Sequence, residues 1–128
     1  VLSQSSLHNK KNKFNSNLKN TDVYKIKCTT LDNYFKNRNI IIDLLKVDAE
    51  GEDLKVLEGT KKLLKKKKIK LIKIELLNSF QGKKNKSNIN EIIFFLDKYG
   101  YTITTITKTK FVNEKLLMMD VYFNNKNN

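Results

Sequence analysis

Apolar and polar positions change their period several times along the chain. Residues 1–20 are rich in Ser, Asn and Lys and follow neither a strand nor a helix period, which predicts a loop or a poorly ordered segment. Residues 23–29 (VYKIKCT) alternate apolar and polar side chains, the signature of a half-buried strand. Leu31, Tyr34 and Phe35 then recur at helical spacing, and Thr30 or Asp32 can cap the first turn of the short helix they predict. Residues 40–47 (IIIDLLKV) form a nearly continuous apolar run of strand length, as expected of a central parallel strand buried on both faces. From Glu52 to about Lys67 the period turns helical, with Leu54, Leu57, Leu63 and Leu64 along one side.

Residues 69–77 (IKLIKIELL) predict the next strand, with Glu75 near its carboxyl end. Strand, helix and strand of these lengths make a βαβ unit, which calls for a parallel sheet covered by helices. A polar loop over residues 79–88 precedes a helix over 89–99, marked by Ile92, Phe95, Leu96 and Tyr99 and stopped by Gly100. Residues 101–107 and 116–123 read as two strands whose connection is too short for a parallel crossover, so they should pair antiparallel. The expected organisation is α/β. A polar segment at 1–20 leads into one domain over 21–123, and an Asn-Lys tail at 124–128 is expected to be disordered.

A length of 128 residues suits a single domain. No apolar run approaches the roughly 20 residues of a membrane helix, and residues 1–20 resemble neither a secretory nor a transit signal, so a cytoplasmic protein is expected. Its first residue, Val1, raises the expectation of a fragment. The one cysteine, Cys28, permits no internal disulfide and is expected to be a small buried hydrophobe; His8 lies in an unrelated segment and is expected at the surface. Net charge is +13, a balance that favours polyanionic partners. Of the 26 basic residues only Arg38 is Arg, however, and Asn is abundant as well, which favours a compositional drift towards Lys and Asn over a selected polyanion-binding face. Non-specific association with polyanions at low salt follows in either case. Glu50, Glu52 and Asp53 at the start of the long helix, and Lys61, Lys62 and residues 65–68 at its end, complement the helix macrodipole.

Candidate chemistry gathers at one edge. Ligands of open parallel sheets bind beyond the carboxyl ends of the strands, and Asp48, Glu50 and Glu75 all belong there. Such carboxylates can take a proton from a hydroxyl, hydrogen-bond a ligand or hold a divalent cation, and spacing alone does not choose. Structural readings stand beside these: Glu50 as a helix cap and Glu75 as a partner for neighbouring backbone. For Asp48 function is preferred, because a carboxylate closing a buried strand is otherwise costly. Lys46 is expected to pair with one of the acids, while Gly51 and Gly59 read as backbone-permissive positions.

The segment Leu45-Lys46-Val47-Asp48-Ala49-Glu50-Gly51-Glu52-Asp53-Leu54, continuing through Val56-Leu57-Glu58-Gly59, resembles the hallmark of FkbM-type S-adenosylmethionine-dependent methyltransferases. That hallmark reads Lys, aliphatic, Asp, any residue, Glu, Gly, any residue, an acid, then a Val or Leu pair and a Gly. Thr30-Leu31-Asp32, residues 72–76 and, more weakly, Gln4-Ser5-Ser6-Leu7 also resemble family segments. The resemblance implies the C-terminal part of a Rossmann-like (class I methyltransferase) sheet, mostly parallel with an antiparallel terminal hairpin. It further implies methyl transfer to a hydroxyl of a sugar or other small molecule. Asp48 is then the first choice for catalytic base, metal ligand or cofactor contact, followed by Glu50 and Glu75.

Two departures bear on this. Glu52 stands where the family usually has a small or apolar residue, adding a negative charge beside the site. The glycine loop and the ribose-holding acid, which the family's amino half supplies, have no counterpart among the four Gly of this chain. The resemblance therefore implies that these residues are inactive alone and that a complementing amino-terminal half is a partner. A basic nucleic-acid-binding module and a non-catalytic remnant or scaffold are the other classes of function left open.

Overall fold

The computed structural model describes residues 26–49, 51–77 and 88–126. Eight elements follow one another: α1 (Leu31–Tyr34), β1 (Ile42–Val47), α2 (Asp53–Glu58), α3 (Lys61–Lys65), β2 (Ile69–Leu77), α4 (Ile89–Asp97), β3 (Tyr101–Val112) and β4 (Lys115–Asn125). The four strands form one mixed sheet in the order β1-β2-β4-β3. β1 and β2 are parallel, whereas β4 runs antiparallel to both β2 and β3. Three strands thus share a direction while two of the three pairings are antiparallel, so the α/β expectation holds and the sheet is less parallel than expected. None of the helices in the described residues is long and apolar enough to cross a membrane.

Strand periodicity sorts the sheet into two faces. On one, Leu45, Val47, Ile72, Ile74, Leu76, Met119, Val121 and Phe123 fall in register across β1, β2 and β4. Leu57, Leu63, Leu64, Ile92, Phe95 and Leu96 from the helices join most of them in one buried core. The opposite face carries Leu44, Lys46, Lys73 and Glu75, and Leu44 is 51% exposed. The expectation that residues 40–47 are buried on both faces is therefore corrected. Within the described residues β1 is an edge strand with helices on one side only, and a run of apolar residues cannot report how many layers cover it.

Other local signals meet neighbours that the pattern did not contain. The long helix expected from Glu52 divides into α2 and α3 at Gly59 and Thr60. Thr60 is buried there, its hydroxyl donating to the Leu57 carbonyl at 2.6 Å. A Cβ on Gly59 would stand 3.2 Å from the Thr30 side chain, so this glycine serves the close approach of α1 and not a special φ. Of the strand expected over residues 23–29, positions 26–29 are irregular and exposed, with Ile26 at 74%; residues 23–25 lie outside the described part. Alternation makes a strand only where a neighbour and a buried face are available. Cys28 accordingly is exposed, not buried.

The remaining helix and hairpin follow the sequence closely. α4 starts at a capping box, Asn88 accepting from the Asn90 N–H at 2.9 Å while Glu91 accepts from the Asn88 N–H at 3.3 Å. The last turn closes before Gly100, whose φ is +72°. β3 and β4 are longer than expected and joined by Asn113 and Glu114, with φ of 48° and 62°, as a two-residue hairpin turn requires. β4 also continues to Asn125, which is buried, so residues 124 and 125 of the expected tail belong to a strand, while 127 and 128 lie outside the described residues. Residues 1–20, with His8 among them, and residues 79–87 of the loop expected over 79–88 lie outside the described residues.

Candidate active site

Parallel pairing brings the carboxyl ends of β1 and β2 to a common rim. Val47 is in register with Ile74, so one further step along each strand sets Asp48 beside Glu75. Glu75 in turn is the register partner of Asp120 on β4. Three acids from three strands therefore make one row across the open face, one step beyond a row holding Lys46 and Lys73. Glu50, the third acid of the sequence expectation, lies outside the described residues.

Each lysine answers an acid of the neighbouring row. Lys46 Nζ lies 2.8 Å from Asp48 Oδ2, both side chains reaching solvent, as the expected role of Lys46 requires. Its contact with Asp48 above all, with a smaller contribution from Glu75, holds the Lys46 ammonium above its ordinary pKa. Asp48 is thus an accessible, ion-paired carboxylate, which corrects the premise that it closes a strand buried on both sides.

Asp120 is different in kind. Only 1% exposed, it has Lys73 Nζ at 2.8 Å and Lys108 Nζ at 3.6 Å from Oδ2, although the ammonium of Lys73 lies off the ideal hydrogen-bond direction. Sequence reading missed both Lys73 and Asp120. Alternation in IKLIKIELL and LLMMDVYF puts each of them on the side of its strand opposite the apolar run that forms the core. What brings them together is the insertion of β4 between β2 and β3, which no local pattern encodes. Among the described residues no group of three or more His, Cys, Asp or Glu side chains is placed to hold a metal ion.

The loop after β1 is held from inside by another residue that was read only as a helix-dipole partner. Asp53, at the first position of α2 and 2% exposed, accepts the Ala49 N–H on Oδ1 at 3.0 Å and the Gly51 N–H on Oδ2 at 3.2 Å. Gly51 has a φ of +102°, a conformation that residues with a Cβ rarely adopt. The acid pattern of residues 48–53 thereby contains a structural anchor as well as the rim carboxylate of Asp48. Glu52 is also buried, and Lys55 Nζ balances its charge at 2.6 Å. Its extra charge therefore does not face the rim uncompensated. Asp53→Ala is expected to cost about 1–3 kcal/mol, because two partly buried N–H groups lose their acceptor. Urea unfolding measures the loss, and faster hydrogen exchange at the Ala49 and Gly51 amides locates it; unchanged protection there would refute the anchor.

The Thr30-Leu31-Asp32 segment does similar work for the other end of the unit. Thr30 caps α1 by accepting the Asn33 N–H at 3.1 Å. Asp32 reaches across to α3, accepting the Lys62 and Leu63 N–H groups at 2.8 and 3.0 Å. Leu31 packs against the core. These ties explain why such residue types suit this position without any role in chemistry.

No curated protein and no solved structure matches the chain. A family model does. The model described as the methyltransferase FkbM domain matches residues 2–103, most of the chain, including α1, the segment from β1 through α2, and β2. With Asp48 and Glu75 of the rim, the anchored loop after β1 and the Thr30-Leu31-Asp32 tie all inside that match, the chain belongs to the FkbM methyltransferase domain family.

Proposed function

We propose that the chain forms the acceptor side of an S-adenosylmethionine-dependent methyltransferase that methylates a hydroxyl of a sugar or other small molecule. The observation that carries this reading is the rim pair, Asp48 beside Glu75 with the Lys46 ammonium 2.8 Å from the Asp48 carboxylate. A neutral hydroxyl is a weak nucleophile, and an accessible carboxylate at the place of reaction helps by taking its proton. Asp48 is assigned that role, Lys46 holds its carboxylate in place, and Glu75 hydrogen-bonds the acceptor. Glu50 is a second candidate for the rim on family resemblance. The direction of β1, β2 and β3 and the antiparallel β4 suit the C-terminal part of a Rossmann-like sheet.

The described residues fit the acceptor better than the cofactor. Carboxylates beside ammoniums suit a hydroxyl, whereas two cavities among the described residues, of about 410 and 250 Å3, are lined by neither Asp48 nor Glu75. In this reading the residues that hold S-adenosylmethionine lie outside the described ones, in a complementing amino-terminal half, and the 128 residues are inactive alone. Calorimetric titration of S-adenosylmethionine into the chain is expected to give no binding heat; micromolar affinity would overturn the division of labour. In an intact, active protein carrying this segment, Asp48→Asn is expected to lower kcat by roughly 10²–10⁴-fold. The thermal midpoint should stay in place, since the Lys46 contact is solvent-exposed and worth little to stability. Undiminished kcat would remove Asp48 from the chemistry.

A further inference from the structure

At the amino ends of β1 and β2, opposite the acidic rim, lies a cleft of about 410 Å3 that the function above does not use. This size falls within the range of small-molecule sites. Lys36, Arg38, Lys62, Lys66 and Lys68 line it, with Asp32 as the one carboxylate of the lining. Both oxygens of Asp32 are already committed to the Lys62 and Leu63 backbone N–H groups. Among the described residues Lys36, Arg38, Lys62 and Lys66 make no ion pair, and Lys68 donates to the neutral Asn39 side chain at 3.0 Å.

Lys62 and Lys66 stand one turn apart on the side of α3 that lines the cleft, where like charges repel. The lone Arg of the chain adds a fixed donor edge. Its guanidinium carbon lies 5.0 Å from the Tyr34 ring centroid and 6.0 Å from that of Phe35, so the cation is held beside the aromatic pair. A planar fork of donors suits phosphate oxygens.

We propose that this cleft binds a short polyphosphate chain, free or as the tail of a nucleotide. One phosphate monoester carries about two negative charges and would leave most of the five cations unanswered. Several linked phosphates match the charge and span the cleft. A single-stranded nucleic acid is disfavoured, because base stacking needs free aromatic faces and the two rings beside the cleft are engaged by Arg38. Relief of the repulsion between Lys62 and Lys66 makes such an anion stabilise the fold.

The test uses the 128-residue chain with sodium tripolyphosphate at constant ionic strength. The thermal midpoint is expected to rise with tripolyphosphate concentration, as mass action requires for a ligand of the folded state. Calorimetry should show the Lys62→Gln/Lys66→Gln double variant binding about tenfold more weakly or worse, since two charged hydrogen bonds are lost. Removing the same charge elsewhere, with Lys98→Gln/Lys110→Gln, should change affinity by about twofold or less, through long-range field alone. Equal or tighter binding of a nucleoside triphosphate supports the same site, with or without a contribution from the nucleoside. The proposal falls if tripolyphosphate does not bind, if both double variants weaken it equally, or if only long oligonucleotides bind and do so independently of Lys62 and Lys66. Because the exchanged lysines are exposed and mutually repulsive, loss of folding does not confuse the outcome.

Discussion

Exchanging Lys73 for Met is expected to destabilise the fold by about 3–5 kcal/mol, because the buried Asp120 carboxylate then loses its close counter-charge. Asp120 is 1% exposed and would keep only Lys108, 3.6 Å away on a side chain that is 69% exposed. Lys73→Met/Asp120→Leu should recover most of the loss, since replacing both members of a buried pair by apolar groups is often neutral or better. Urea unfolding of the wild type, both single variants and the double variant gives the coupling directly. If the double variant is as unstable as Lys73→Met alone, the cost belongs to packing and not to the stranded charge.

The same pair sets a pH dependence. Contact with Asp120 raises the Lys73 pKa above its ordinary value of 10.5, against an opposing effect of burial. The folded state therefore holds the Lys73 proton more tightly than the unfolded chain does. Its contribution is complete below pH 10.5 and is lost as pH climbs through the higher folded value. Alkaline unfolding monitored by circular dichroism should keep this component in the wild type and lack it in Lys73→Met.

Phe123→Ala is expected to cost a further large amount, about 3–5 kcal/mol, through the cavity left by a fully buried ring. Phe123 is 0% exposed on β4, in register with Ile72 on one side and Ile103 on the other. Small domains have total stabilities of only about 5–15 kcal/mol, so the variant should be close to unfolded at room temperature. Chemical denaturation checks this. A loss under about 1 kcal/mol would contradict a central position for β4, because fully buried aromatic rings do not come out so cheaply. The result also bears on the extent of the domain. Phe123 lies beyond residue 103, where the family match ends, yet its strand pairs with β2 inside the match and with β3, of which only residues 101–103 fall inside it.

Much of the fold was legible in the chain because its signals are local. The period of β2, the helical spacing of α4, Gly100 and the short connection between β3 and β4 each concern residues within a turn or two of one another. The candidate rim was legible for a related reason: two strands joined by a helix must run parallel, and their carboxyl ends then meet. That placed Asp48 near Glu75, as the register of β1 and β2 has it. Lys46 was legible as a partner because it stands two positions from Asp48 on the same side of the strand.

Order among strands, and everything that depends on it, came from contacts distant in sequence. β4 inserts between β2 and β3 because its apolar face completes the core on both sides, and a period of two is silent about which neighbour a strand will take. The Lys73–Asp120 pair exists through that insertion alone. Asp32 caps α3 across 30 residues for the same reason, and the buried role of Asp53 depends on how the loop after β1 folds back. Side-chain pattern reports which surface wants burial; pairing, layering and the fate of individual charges are settled when distant segments compete for that surface.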